Sequence, residues 1–220
     1  MGYLQNLWNA LDFGSLRDTL LRVASVLLCL ILHETCHGLA ALALGDPTAK
    51  RHHRLSLNPL RHIDWVGLAA MVLTGVGWAK PVPVDPHYFR RPKQGMAITA
   101  LAGPVSNLLL ALVLLLGARL MVSHAMATGT LNETLFYFLL DTALLSIGLG
   151  VFNLIPIPPL DGSKVLAVLL PDRAYRFLMR YERFGMLLIM ALVFFGALSS
   201  VLDGAIGAVF TLFCRIVGFY

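Results

Sequence analysis

The sequence predicts an all-α, polytopic membrane protein. About four spanning helices are expected, with re-entrant or short helices and a small membrane-associated β-strand or hairpin. Three observations predict this. The 220 residues are 58% hydrophobic and 13% charged, whereas about a quarter of a soluble domain is charged. The mean hydropathy is +0.76. Thirteen of the seventeen Lys and Arg fall in two stretches, 45–93 and 155–183, set between long apolar runs. The net charge of +5 therefore speaks to membrane orientation and not to nucleic acid. If the apolar stretch 64–77 does not span, both basic stretches share one side, which the positive-inside rule makes the cytosol.

One membrane-embedded domain over 1–220 is expected, with a core over about 16–170 and C-terminal helices over about 184–220. No repeat, low-complexity stretch or appended soluble domain is visible. Met1–Ser15 lacks a basic region followed by a short apolar one, so no signal peptide is expected. Its Tyr3 and Trp8 suit the headgroup level. Cys29, Cys36 and Cys214 match no metal or redox spacing and read as small core hydrophobes.

The first span should run from about Leu16 to Leu44 and stop at Gly45-Asp46-Pro47. A basic stretch, Thr48–Arg61, follows. His52, His53 and the nearby His62 could form a second metal site, but solvated loop histidines are the commoner case. Asp64 to about Gly77 is apolar but too short to span, and reads as re-entrant or surface-lying. Trp78 to Val84 alternates apolar residues with Pro81 and Pro83. Proline is confined to sheet edges, so an edge strand or hairpin is expected there.

The second span, about Gln94–Val122, carries Thr99, Gly103, Ser106 and Asn107 in its first half. Small residues let helices approach closely, and Pro104 should kink it. The third span, about Thr134–Leu154, ends where Pro156, Pro158 and Pro159 forbid further helix. The flanks are apolar, and irregular backbone at membrane depth must be buried in protein or line a cavity. A short helix, Ser163–Leu170, and a basic segment, Arg173–Arg183, come next. The fourth span is expected at about Phe184–Leu202. The apolar tail Gly204–Tyr220 looks short for a full crossing.

Inside the first span stands His33-Glu34-Thr35-Cys36-His37. On a helix the two histidines lie one turn apart and present both imidazoles from one face. They fit two corners of a tetrahedral zinc site. Glu34 projects roughly 100° round the helix, where it can reach water as a general base without being a ligand. Ionisable groups in so apolar a segment are costly and mark function. Catalytic zinc takes a third protein ligand. Asp161 is the best candidate at the same depth, either as ligand or as a cap of the short helix. Asp141 lies near the far end of its helix. Asn107, an amide in an apolar helix, needs partners. It either donates to an oxyanion or bonds a neighbouring helix.

These motifs occur with Ser56-Leu57-Asn58-Pro59, Gly77-Trp78-Ala79-Lys80-Pro81-Val82-Pro83-Val84, Ala102-Gly103-Pro104-x-x-Asn107 and Asn153-x-x-Pro156-x-Pro158-Pro159-Leu160-Asp161-Gly162, in that order. Together they resemble the site-2 protease family of intramembrane zinc metalloproteases, over roughly 20–170. The likeness is closest to compact bacterial and archaeal members without PDZ or CBS domains. It implies one Zn2+ per chain held by His33, His37 and Asp161, with Glu34 activating water. It also implies an oxyanion role for Asn107 and a shared core of three helices. The implied substrate is a transmembrane protein, for example an anti-sigma factor or membrane-tethered regulator. The implied location is a prokaryotic cell membrane, with the active site in its cytosolic half. Ser163 stands where many members carry a second glycine, which leaves the chemistry untouched.

Two other classes compete. A metal transporter would use the same ligands, but the single site lacks inverted repeats. A non-catalytic, partner-binding relative would not need Glu34. For substrate capture, backbone groups near Val82 and Val84 are expected to clamp an unwound segment by strand addition. The alternative there is a plug at the membrane entrance.

Overall fold

The computed structural model describes residues 16–64, 80–171, 173–174, 185, 187–189, 191–193 and 195–219. Six α-helices are resolved among them. They are α1 (Leu16–Ala43), α2 (Thr48–Arg51), α3 (Pro92–Thr128), α4 (Glu133–Asn153), α5 (Asp161–Leu169) and α6 (Ser199–Val217). Two 3-10 turns, Pro59–Arg61 and Pro86–Tyr88, interrupt the loops. Helices α1, α3, α4 and α6 are each long and apolar enough to cross a membrane. A hydrocarbon core of about 30 Å needs about 20 residues at 1.5 Å rise. The 37 residues of α3 exceed that need.

The contacts gather the chain into two compact units. One comprises the stretch ending at Cys29, Asn107–Phe152 and Gly196–Tyr220. Its part of α3 has two apolar faces. Ala111, Leu115 and Ala118 are buried, while Leu109, Val113, Leu116 and Leu120 are exposed. An apolar face without protein cover is what lipid requires of a spanning helix. Helix pairs in this unit are joined by polar groups that lipid cannot satisfy. The hydroxyls of Ser25 and Thr142 meet at 2.7 Å. Ser146 Oγ donates to the Asn107 carbonyl at 2.8 Å. Helix α6 closes at Gly218, which is left-handed at φ 82°, the usual glycine stop. Arg119 Nε donates to the Gly218 carbonyl at 2.7 Å.

The other unit comprises Leu30–Ser106 and Asn153–Phe195. It holds the end of α1, the basic loop, the start of α3, the proline break and α5. The break is held together by its glycine. A Cβ at Gly162 would collide with the carbonyls of Leu154 and Ile155. Only glycine lets the start of α5 pack against the chain leaving α4.

Two expectations are corrected. No strand or hairpin forms among the described residues; Trp78 and Ala79 lie outside them. Lys80–Asp85 runs as irregular backbone. Pro81 and Pro83 have no N–H, and three of the four donors that remain turn to groups of the loop and of α1. Lys80 N–H bonds the His62 carbonyl at 2.9 Å, while Val82 and Asp85 bond carboxylates. No ladder partner is left. The second correction concerns the C-terminus. The expected span 184–202 lies partly outside the described residues. Residues 195–198 form a turn, with Gly196 at φ 68°. A fresh helix starts at Ser199 and, at 19 residues, is long and apolar enough to cross. The tail thus gains its length from Ser199–Asp203. The re-entrant stretch expected at 64–77, from Trp65 onward, and the interfacial Met1–Ser15 lie outside the described residues, as does most of Arg173–Arg183.

Gly162→Ala should lower stability by about 2 kcal/mol or more, as overpacking against rigid backbone does. In a thermal melt in detergent this should appear as a midpoint lower by about 4–8 °C. An unchanged midpoint would show that the break relaxes freely.

Candidate metal centre

Helix α1 carries His33 and His37 one turn apart, as the spacing requires. Their rings meet edge to face at 4.6 Å between centroids. Asp161 is the first residue of α5. It does not cap that helix, since no side-chain bond is made at the N-terminus, where Leu160 is the cap residue. Its Oδ2 lies 3.1 Å from His33 Nε2 and 3.2 Å from His37 Nε2. The three ligand atoms lie within 4.8 Å of one another. A tetrahedron with metal–ligand bonds of about 2.0–2.1 Å has edges of about 3.3 Å. The donor set and its spacing therefore fit zinc. The residues are 4%, 9% and 7% exposed, so bulk water does not compete for these atoms.

Two features outside the ligand set shape the centre. His37 Nδ1 lies 2.7 Å from the Thr99 carbonyl of α3. Donation there fixes the tautomer and leaves Nε2 its lone pair for a metal. Gly103, one turn further along α3, faces the imidazoles. A Cβ there would collide with His37 Nε2 and with Cε1 of both histidines. Burial would raise the Asp161 pKa. The two imidazoles beside it overcome that and hold it below the usual carboxylate range. Lys164 Nζ stands 3.9 Å from its other oxygen.

Glu34 projects beside the ligand set without joining it. Its Oε2 accepts the Val82 N–H at 3.0 Å. Arg54 is buried, and its Nη2 donates to the Lys80 carbonyl at 2.5 Å. Burial lowers the Arg54 pKa, and the Glu34 charge opposes that shift.

The other residues singled out in the sequence fall elsewhere. Among the described residues, no second metal cluster forms. His52 and His53 are exposed. His62 is fully buried, with Nε2 2.6 Å from the Ser56 carbonyl; it braces the loop and is not solvated. Asp141 is exposed on α4. Asn107 is fully buried one turn beyond Gly103 on α3. Val82 is buried and Val84 partly exposed. Sequence reasoning missed the Thr99 carbonyl and the Arg54 side chain. A backbone carbonyl leaves no residue signal, and Arg54 looked like one loop charge among several.

The model of Peptidase family M50 matches residues 119–197, a stretch that includes Asp161 but neither histidine. A Bacillus subtilis (strain 168) protein named "Putative zinc metalloprotease YwhC" is 33% identical over 171 residues. The alignment covers 77% of this chain and 78% of that protein. The Mycolicibacterium smegmatis protein named "Putative zinc metalloprotease Rip2" is 32% identical over 186 residues, 82% of this chain and 69% of its own length. The protein of the same name from Mycobacterium tuberculosis (strain ATCC 25618 / H37Rv) is 31% identical over 196 residues, 87% and 72%. This chain belongs to peptidase family M50, the site-2 proteases. No solved structure matches it significantly. As an M50 member it is a membrane zinc metalloprotease. Its cofactor is zinc, and His33, His37 and Asp161 form the site that can hold it.

The purified protein should carry about one zinc per chain, as a single three-ligand site holds. Asp161→Ala should lose most of it. Gly103→Ala removes no ligand, yet should weaken zinc retention about tenfold or more by displacing the imidazoles, on the scale of other supporting-shell changes. Metal analysis after graded chelation reads both. Full occupancy in Asp161→Ala would remove that residue from the ligand set.

Proposed function

We propose that this protein is an intramembrane endopeptidase of the His-Glu-x-x-His type. It hydrolyses peptide bonds in or near transmembrane segments of other membrane proteins, in regulated intramembrane proteolysis. The observation that carries this reading is a buried His-His-carboxylate set with a glutamate one residue from its first ligand. His33, His37 and Asp161 would hold the zinc, which would supply Lewis acidity toward a carbonyl and a water. Glu34 takes the proton of the attacking water and passes it to the leaving amine. Asn107 supports a developing oxyanion through its amide N–H. The Thr99 carbonyl keeps the His37 ring in register throughout. Substrate helices must unwind locally, because their amides are otherwise bonded within the helix. The segment around Val82 and Val84 receives the unwound stretch in extended form.

The substrate class is a single membrane-tethered chain, such as an anti-sigma factor or another membrane-bound regulator. The active site opens in the cytosolic half of a prokaryotic cell membrane. The clustering of thirteen of seventeen Lys and Arg in two stretches supports this orientation.

Glu34→Gln should keep fold and zinc while cleavage falls at least about 100-fold, the loss typical of a missing general base. The assay is cleavage of a reconstituted transmembrane substrate. Undiminished activity would remove Glu34 from the mechanism. Comparing membrane proteomes of cells carrying wild type or Glu34→Gln would identify the substrates. In intact cells, single cysteines near Arg54 and Arg91 should label only after permeabilisation, while cysteines in 123–133 label directly. The reverse pattern would invert the orientation.

A further inference from the structure

The stretch Lys80–Asp85 is fastened to the enzyme in an unusual way. Lys80, Val82 and Asp85 each precede a proline, which biases them to extended backbone. The same three residues have their N–H groups taken. Lys80 donates to the His62 carbonyl at 2.9 Å, Val82 to Glu34 Oε2 at 3.0 Å, and Asp85 to Asp46 Oδ2 at 2.8 Å. Arg54 grips the Lys80 carbonyl. Asp46 is fully buried and also accepts the Thr48 N–H at 2.8 Å. Gly38 leaves space for Leu55, Ala49 and Val82, since a Cβ there would collide with Leu55 Cδ2 and press within 3.2 Å of Val82 Cγ1. The intervening Pro81 and Pro83 carry no N–H. One donor of this segment is thus spent on the glutamate that the reaction needs.

We propose that the Val82 amide is a built-in stopper on Glu34, released only by substrate. This rests on the reading of Glu34 as general base. The Oε2 that accepts the Val82 N–H spends a lone pair on it and is tethered to this segment. An unwound substrate arrives with carbonyls that have lost their helical partners, and an unpaired buried carbonyl is costly. A substrate carbonyl takes the Val82 N–H, and Glu34 is freed by the same exchange. The three remaining grips, from His62, Arg54 and Asp46, keep the segment in place while that one bond changes partner. Capture and activation become one event, and the idle enzyme does not attack passing chains.

Hydrogen exchange tests the contact without relying on activity. In a peptide covering Lys80–Asp85 only Lys80, Val82, Val84 and Asp85 have amides. Glu34→Ala should speed exchange of one of these amides by roughly tenfold, the scale of a hydrogen bond to a charged group. Glu34→Gln keeps an acceptor oxygen and should stay near wild type. Equal protection in all three proteins, with zinc and melting unchanged, would overturn the stopper. Replacing Val82 by its α-hydroxy analogue then removes the N–H and keeps the shape. Cleavage of a short, already extended peptide should rise about threefold or more. KM for a transmembrane substrate should rise in the same protein. A uniform fall in kcat with zinc retained would mean that the amide orients Glu34, and the stopper fails. Wild type and Glu34→Gln run in the same assay. If wild type cleaves neither substrate, the protease reading fails, while the exchange result still decides whether Glu34 holds the strap.

Discussion

A single carboxylate oxygen holds this site together. Asp161 Oδ2 stands within 3.2 Å of the Nε2 atoms of both His33 and His37. His33 and Asp161 are 128 residues apart in the chain. All three side chains are nearly excluded from solvent, and a buried anion without partners is strongly disfavoured. The proline break and two glycines let these three groups meet. The proline break ends α4 and lets α5 begin with Asp161. The carboxylate is then the first side chain of that helix and is free of capping duty.

Clearance matters as much as attraction. Gly103 leaves the imidazoles the volume that any Cβ would fill. Gly162 does the same for the backbone leaving α4. Small residues on membrane helices are usually credited with bringing helices close. Here one of them also gives two ligands their space. The Thr99 carbonyl lies one turn before Gly103 and engages the same His37 ring. One face of α3 therefore both spaces and orients the ligands.

The loop side of the unit follows a different rule. Buried backbone donors must be paired, and membrane depth offers no water to pair them. Prolines reduce the number of donors, and two carboxylates and a backbone carbonyl take three of those that remain. Asp46 and Glu34 each accept one amide of the same strap. Asp46 does so from the loop, and Glu34 does so from α1, next to His33. A segment satisfied in this manner is held by a few exchangeable bonds, which suits it to changing partners.

The sequence by itself determined the membrane class, two of the spans to within a residue, the place of a third that runs six residues further than expected, and the histidine pair. Each of these is local, resting on apolar runs, a proline stop or the 3.6-residue repeat that puts His33 and His37 on one face. It also singled out Asp161 but could not separate ligand from cap, because that depends on where the carboxylate points. Tertiary structure shows that the carboxylate makes no capping bond and stands beside both imidazoles, and that Trp78–Val84 yields no strand among its described residues. A strand needs a neighbour, and periodicity within one segment does not reveal whether a neighbour exists. The start of α6 at Ser199 was likewise out of reach, because an apolar run beyond 184 does not mark the turn at 195–198. The Thr99 carbonyl, the clearance at Gly103 and the grip of Val82 on Glu34 exist only between elements. They are set by distance and by the lack of a Cβ, which no residue pattern records.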